Sequence, residues 1–268
     1  MQKITDQSHL LKTQYQNAAN LNARIRLHED FSTNPESWLG WVFDHFQAPP
    51  QAQVLEIGCG PASLWCENLS RIPTAWQIIL TDLSVGMLEE AKAALGDQQS
   101  RFKFEPADAQ ALPFDDAQFD LIIANHMLYH VPNRPQAYAE IRRVLKPAGR
   151  FYAATNGIQH LQEFYDLMRQ VNSALLAQRD IATWFSLENG EAELAAWFSH
   201  VTRHRYHNDL RVTEVEPLVA YAASMQSLTE TELQQIQALI EAQMQVTGAI
   251  HITKSTGLFE AYGIPVAL

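Results

Sequence analysis

Cysteine is scarce in this sequence: of 268 residues only Cys59 and Cys66 carry a thiol. No disulfide framework can be built from them, which argues against a small stapled secreted fold and for a reducing, cytoplasmic setting. Positive charge is also in short supply. Lys and Arg number 19 against 30 Asp and Glu, for a formal net charge of -11. Such a surface repels phosphate backbones, and no Lys/Arg run marks a local basic groove, so nucleic acid is not an expected partner. No apolar run approaches the ~20 residues that span a bilayer. The opening MQKITDQSHLLKTQYQ lacks the apolar stretch of a signal peptide. Repeats and low-complexity tracts are missing as well. His200, His204 and His207 have neither an H-E-x-x-H pattern nor a neighbouring cysteine, so no metal site is expected.

What is present suits a packed globular chain: 47% of residues are hydrophobic and 18% charged. The length fits one α/β domain with a lid or cap, or two small domains. Asn34-Pro35 reads as a helix start, with Asn34 as cap, and the helix that follows places Trp38, Val42 and His45 on one face. Strands and helices then alternate. Val54–Ile57, Trp76–Thr81, Phe102–Glu105, Phe119–Ala124 and Arg150–Ala154 read as strands. Helices are expected over 62–70, from Ser84 to Leu95, and near 135–145. That alternation implies parallel βαβ units and a doubly wound, Rossmann-like sheet.

Beyond residue 156 the pattern changes. Ile158, Leu161, Phe164, Leu167, Met168, Val171 and Leu175 follow helical spacing and read as a core-facing stripe. Thr213 with Glu216, and Thr229 with Glu232, have capping-box spacing before two more helices. Ile250–Thr253 and Gly257–Phe259 read as a late hairpin edge. The chain therefore divides into an N-terminal helical lid (1–48), a core (49–156), and a helical cap with the last sheet strands (157–268).

The central motif is VLEIGCGPASLW, residues 54–65. Gly58 and Gly60 fall where a strand turns into a helix, where glycine admits unusual backbone angles and close ligand approach. The helix start offers free N–H groups. Asp82 follows the next strand at the distance where an acid can accept hydrogen bonds from ribose hydroxyls. Asp108, within Ala107-Asp108-Ala109, stands at the end of the third strand and could accept from an exocyclic amine, although Asp is also a common turn residue.

The ordered runs VLEIGCG, LTDLS, ADAQALPFDDAQFDLIIANHMLYHVPN and EIRRVLKPAGRFY resemble the class I S-adenosylmethionine (SAM)-dependent methyltransferases, in particular the ubiquinone/menaquinone-biosynthesis group. The resemblance covers residues 50–156 and implies a seven-stranded sheet whose last strand is antiparallel. It implies that Glu56, Gly58 and Gly60 surround the methionine part of SAM, and that Asp82 holds the ribose with Leu83 against the adenine. Asp108 and the Ala109 backbone would read the adenine edge, and Asn125 would lie near the sulfonium. The segment bearing Tyr15, Arg24 and His28 would fold over the cofactor as a lid, so that Tyr15 and His28 touch SAM or the acceptor. One departure is Ala62, where the family commonly has glycine.

Methyl transfer to a small-molecule acceptor needs alignment above all, and a base only if the acceptor must lose a proton. His126, Tyr129 and His130, after the fourth strand, are the candidates, with His126 and His130 directed alike if they share a helical turn. Two alternatives stand beside this reading. A SAM-binding protein without methyl transfer, such as a cyclase or regulator, keeps the cofactor motifs. An NAD-dependent oxidoreductase fits the glycine turn and Asp82, but Ser63 stands where its third glycine belongs. Oligomeric state and acceptor identity are not encoded in any pattern found here.

Overall fold

The computed structural model describes residues 26–173, 184–225 and 228–264. Its centre is a seven-stranded sheet in the order β3-β2-β1-β4-β5-β7-β6. The strands are β1 (Gln53–Ile57), β2 (Gln77–Asp82), β3 (Phe102–Pro106), β4 (Phe119–Asn125), β5 (Leu145–Asn156), β6 (His200–Val212) and β7 (Ile250–Tyr262). The first five pair in parallel, and β7 runs antiparallel to both of its neighbours. The doubly wound sheet is thus as the strand–helix alternation implied, and its antiparallel last strand is as the family resemblance implied.

Parallel strands are covered on both faces, and their apolar runs reflect it. On one face, Val54, Leu80, Leu121 and Tyr152 pack with Val42 and Phe43 of α1 (Trp38–Asp44), Leu64 and Trp65 of α2 (Ser63–Asn68), and Leu88 and Ala91 of α3 (Val85–Leu95). On the other, Leu55, Ile122, Phe151 and Phe259 pack with Tyr138 and Ile141 of α4 (Arg134–Val144) and Leu194 of α6 (Gly190–Ala195). A third core joins Leu27 and Phe31 to α5 (Gln162–Val171), α7 (Val215–Ala223) and α8 (Glu230–Thr247), over Leu210, Val212, Ile250 and Ile252.

The third core rests on a ribbon. β5 pairs with β7 only from Thr256 to Tyr262, whereas β6 follows β7 along its whole length to Ile250. The far half of the β6–β7 pair therefore projects past the end of β5 and carries the helical cap beside the carboxyl ends of the parallel strands.

Several local expectations change. The helix after Asn34 starts at Trp38 with Ser37 as its cap, accepting from the Gly40 amide. Asn34 instead closes a turn on the Glu36 amide at 2.9 Å. That loop is pinned by one side-chain oxygen: Asn208 Oδ1 accepts from Ser32 Oγ and from the Thr33 and Asn34 amides at 3.0–3.1 Å. Thr213 caps nothing, since Glu214 is the N-cap of α7 and makes no capping bond, whereas Thr229 and Glu232 form the full capping box of α8. The expected late hairpin edge is a single 13-residue strand inside the sheet, and the edge is β6, which the histidine spacing had hidden. Ile158 is exposed and lies ahead of α5, and Leu175 falls outside the described residues.

Candidate active site

A cavity of about 660 Å³ opens at the carboxyl ends of the parallel strands, the place where open α/β sheets bind ligands. Its walls bring together Glu56, Gly58, Gly60, Asp82, Leu83, Asp108, Ala109, Asn125, His126, Tyr129, His130 and His28. Every site residue expected from the sequence lines it except Tyr15, which lies outside the described residues, as does Arg24.

The strand ends are wired to one another. Asp82 Oδ2 accepts from the Gly60 amide at 3.0 Å, and Oδ1 accepts from the Ser84 amide at 2.8 Å. Its carbonyl accepts from the Ala107 amide at 3.1 Å. Asp82 therefore ties the glycine turn to the start of α3 and to the turn after β3. Burial pushes its carboxyl above the usual range, against three backbone hydrogen bonds. Asp108 Oδ1 accepts from the Gln110 amide at 3.0 Å, shaping the next turn.

Glu56 is buried under the glycine turn. Trp65 Nε1 donates to its Oε2 at 2.5 Å, and Asn125 Nδ2 donates to its Oε1 at 3.3 Å. Burial raises its pKa to about 8, opposed by these two bonds, because a charge in a low-dielectric interior is costly. Asn125 Oδ1 is buried and has no hydrogen-bond partner.

The turn takes left-handed backbone at Gly58 (φ 69°) and Gly60 (φ 54°). Ala62 does the same at φ 59° as N-cap of α2, a left-handed backbone that costs an alanine more than a glycine.

His126 also has positive φ, at 53°. Its amide donates to the Ala154 carbonyl at 3.0 Å, and the short helical turn Leu128–His130 begins only after it. The expected sharing of one helical turn by His126 and His130 is thus corrected: this backbone kink, not helical spacing, brings both to the cavity. Burial, with smaller effects of Lys254 and His130, lowers His126 to about 4. It is neutral at pH 7, with its ring 5.5 Å from that of Trp38.

The far end of the cavity comes from residues that the sequence reading left unassigned: Trp38, Asn156, His160, Tyr206, Tyr221, Lys254 and Thr256. Tyr206 stands 5.3 Å from Trp38, edge to face. His28 lies here, 5.5 Å from His160 and 6.2 Å from Tyr221. Burial, then Lys254 and His126, lowers His28 to about 3. The missed signal was a run of polar residues, Thr253 to Thr256, in an otherwise apolar strand.

Among the described residues no group of three His, Cys, Asp or Glu is placed to hold a metal ion. No helix among them is long and apolar enough to cross a membrane.

A family model described as a methyltransferase domain matches residues 55–153. The match covers the centre of the chain, from β1 into β5. A 27-O-demethylrifamycin SV methyltransferase of Amycolatopsis mediterranei is 37% identical over 102 residues, 37% of this chain and 36% of that one. A ubiquinone/menaquinone biosynthesis C-methyltransferase of Shewanella halifaxensis is 29% identical over 136 residues, 50% of this chain and 53% of that one. The chain thus spans about half or less of the curated relatives it matches. In three dimensions, phosphoethanolamine N-methyltransferase 2 of Haemonchus contortus, solved with S-adenosyl-L-methionine, superposes with TM-score 0.60 at 17% identity, over 96–98% of this chain in its two complexes and 60% of that chain in this one. That likeness is one of fold. The methyltransferase domain holds the glycine turn, Asp82, Asp108 and Asn125, while the far end of the cavity is built by segments outside it.

Proposed function

We propose that this protein transfers a methyl group from SAM to a small-molecule acceptor on oxygen, nitrogen or carbon. The observation that carries this reading is the convergence of the glycine turn, Asp82, Asp108 and Asn125 on a cavity that Trp38, His160, Tyr206 and Lys254 also line. The first group would serve a cofactor, and the second, the acceptor chamber, an acceptor.

The residues present fit the cofactor. The orphaned Asn125 Oδ1, buried beside Glu56, is an acceptor without a donor among the described residues, and such an atom is costly unless a ligand satisfies it. Asp82 would accept the ribose hydroxyls with the lone pairs left by Gly60 and Ser84. Leu83 would pack on the adenine, and Asp108 and the Ala109 backbone would read its edge. Glu56, Gly58 and Gly60 would surround the methionine portion. When bound, SAM would supply an electrophilic methyl carbon in line for the acceptor atom, with S-adenosylhomocysteine as the leaving group.

The chain's own contribution is then alignment and exclusion of water. His126, neutral and locked by its backbone bond to Ala154, holds the acceptor side of the wall. Its pKa of about 4 makes it a weak proton acceptor at pH 7, so His130 or Tyr129 is the better candidate where the acceptor must lose a proton. His28 belongs with the acceptor chamber. A reducing, cytoplasmic location fits the two free cysteines.

The deciding experiment is binding followed by turnover. SAM or S-adenosylhomocysteine should raise the melting temperature and NAD should not. A metabolite screen should then find acceptor-dependent release of S-adenosylhomocysteine. Stabilisation by NAD alone would sink the reading, and cofactor binding with no turnover on any acceptor would favour a regulator or cyclase.

A further inference from the structure

Lys254 is the single Lys or Arg among the described residues that line the cavity. It sits on β7 two residues before Thr256, the point where β7 leaves β5, and so just beyond the carboxyl end of the core sheet. None of the ion pairs among the described residues includes it. Its ammonium stands 5.7 Å over the Tyr206 ring. The Asp209 carboxylate nearby accepts from the Lys254 backbone amide at 3.1 Å and forms no ion pair with the ammonium. His28 Nδ1 is buried without a hydrogen-bond partner. His160 Nδ1 lies 3.3 Å from the Thr256 hydroxyl, and His28 and His126 both feel the lysine's charge.

A half-buried cation without a counter-ion is expensive, and a fixed anion beside it recovers that cost. We propose that the acceptor is a small monocarboxylate, its anionic end on Lys254 beside His28 and His160, and its apolar body against Trp38 and Tyr206. This rests on the methyl-transfer reading and names the substrate class of the same site.

The charge count argues for one negative charge and not several. Glu29, Glu36, Glu56, Glu67, Asp82 and Asp108 line the same cavity. A di- or polyanion would meet these carboxylates with one lysine to offset them, a mismatch that discriminates against it. A monocarboxylate can place its charge at Lys254 and turn a neutral body to the rest. The aromatic pair Trp38 and Tyr206, 5.3 Å apart, offers a ring edge and a ring face to a flat or apolar body. Burial brings Lys254 to about 8, which leaves it charged at neutral pH and able to pair.

The test uses the full chain saturated with S-adenosylhomocysteine and a matched set of probes: benzoate, phenylacetate and 2-naphthoate, each with its neutral amide. Binding is read by calorimetry. At least one carboxylate should bind about 10- to 100-fold more tightly than its amide, the size of a hydrogen bond to a charged group. Lys254→Gln should erase that preference and Lys254→Arg should keep most of it, with S-adenosylhomocysteine affinity unchanged in both. Binding of no carboxylate, equal binding of acid and amide, or a preference that survives in Lys254→Gln would overturn the proposal. Failure of the wild type to bind S-adenosylhomocysteine would instead overturn the methyl-transfer reading beneath it.

Discussion

The Gly60 amide donates to Asp82 Oδ2 across 3.0 Å, so the turn after β1 and the end of β2 share one carboxylate. Asp82 thus shapes the glycine turn, and in the proposed site it would also offer lone pairs to a ribose. Asp82→Ala should weaken SAM binding by roughly 1.5–3 kcal/mol, the range of a hydrogen bond to a charged group. Calorimetry with SAM checks this, and unchanged affinity would remove Asp82 from the site.

Gly58 has no room for a side chain. A Cβ there would lie 2.9 Å from the Met127 Cβ, and the backbone sits at φ 69°. Gly58→Ala should therefore destabilise the fold by at least about 1–2 kcal/mol, the cost of left-handed backbone for an L-residue. Urea unfolding measures it, and a midpoint equal to wild type would mean that the turn relaxes freely.

Glu56 makes stability depend on pH. Its folded pKa, raised by burial to about 8 from the ordinary 4.5 of a free glutamate, means that the folded state keeps a proton that the unfolded chain has lost. That contribution is complete below about 4.5 and is lost as pH rises to about 8, at up to about 1.4 kcal/mol per pH unit. Glu56→Gln removes the titration, and Asn125 can turn its orphaned Oδ1 to accept from the new amide. Unfolding free energies at pH 5, 7 and 9 should show the variant gaining on wild type up to pH 8 and level beyond it. Parallel curves would refute the buried-acid assignment.

The loop histidines separate by kinetics. With a confirmed acceptor that must lose a proton, His130→Gln should lower turnover by about 10²–10⁴-fold while SAM binding survives. His126→Gln should cost less and leave the shape of the rate profile above pH 5 unchanged, since His126 is already neutral there. Wild-type rates in both variants would make alignment the whole of the catalysis.

Chelation should change nothing. Strand alternation in β6 sends His207 to the opposite face from His200 and His204, so the three cannot converge on one ion. Full turnover after dialysis against a chelator is expected, and loss restored by zinc or magnesium would contradict it.

The sequence was most legible where local chemistry and fold agree. Val54–Ile57 and Phe119–Asn125 are largely apolar runs between glycine and turn signals, and the cavity wall proposed for the cofactor follows from their ends. It was least legible in β6 and β7. β6 reads HVTRHRYHNDLRV, an edge strand whose inward side begins only at Tyr206, so its histidines dominate the eye. β7 looked like two pieces because Thr253–Thr256 is polar, and Lys254 and Thr256 are polar where that stretch lines the cavity. Trp38, His160 and Lys254 come from three distant segments, and no spacing rule within one segment could have grouped them.

The placement of β7 between β5 and β6 has a consequence for synthesis on the ribosome. β6 emerges long before β7, yet among the sheet strands its only partner is β7. Until that strand appears, β5 and β6 each present a bare edge to the solvent, the kind of edge that pairs with other chains. The nascent protein can fold its βαβ half early, but the part of the cavity lined by Tyr206 on β6 and Lys254 on β7 cannot assemble until β7 has been translated and inserted. Nascent chains arrested before β7 should therefore bind chaperones more persistently than chains arrested after it.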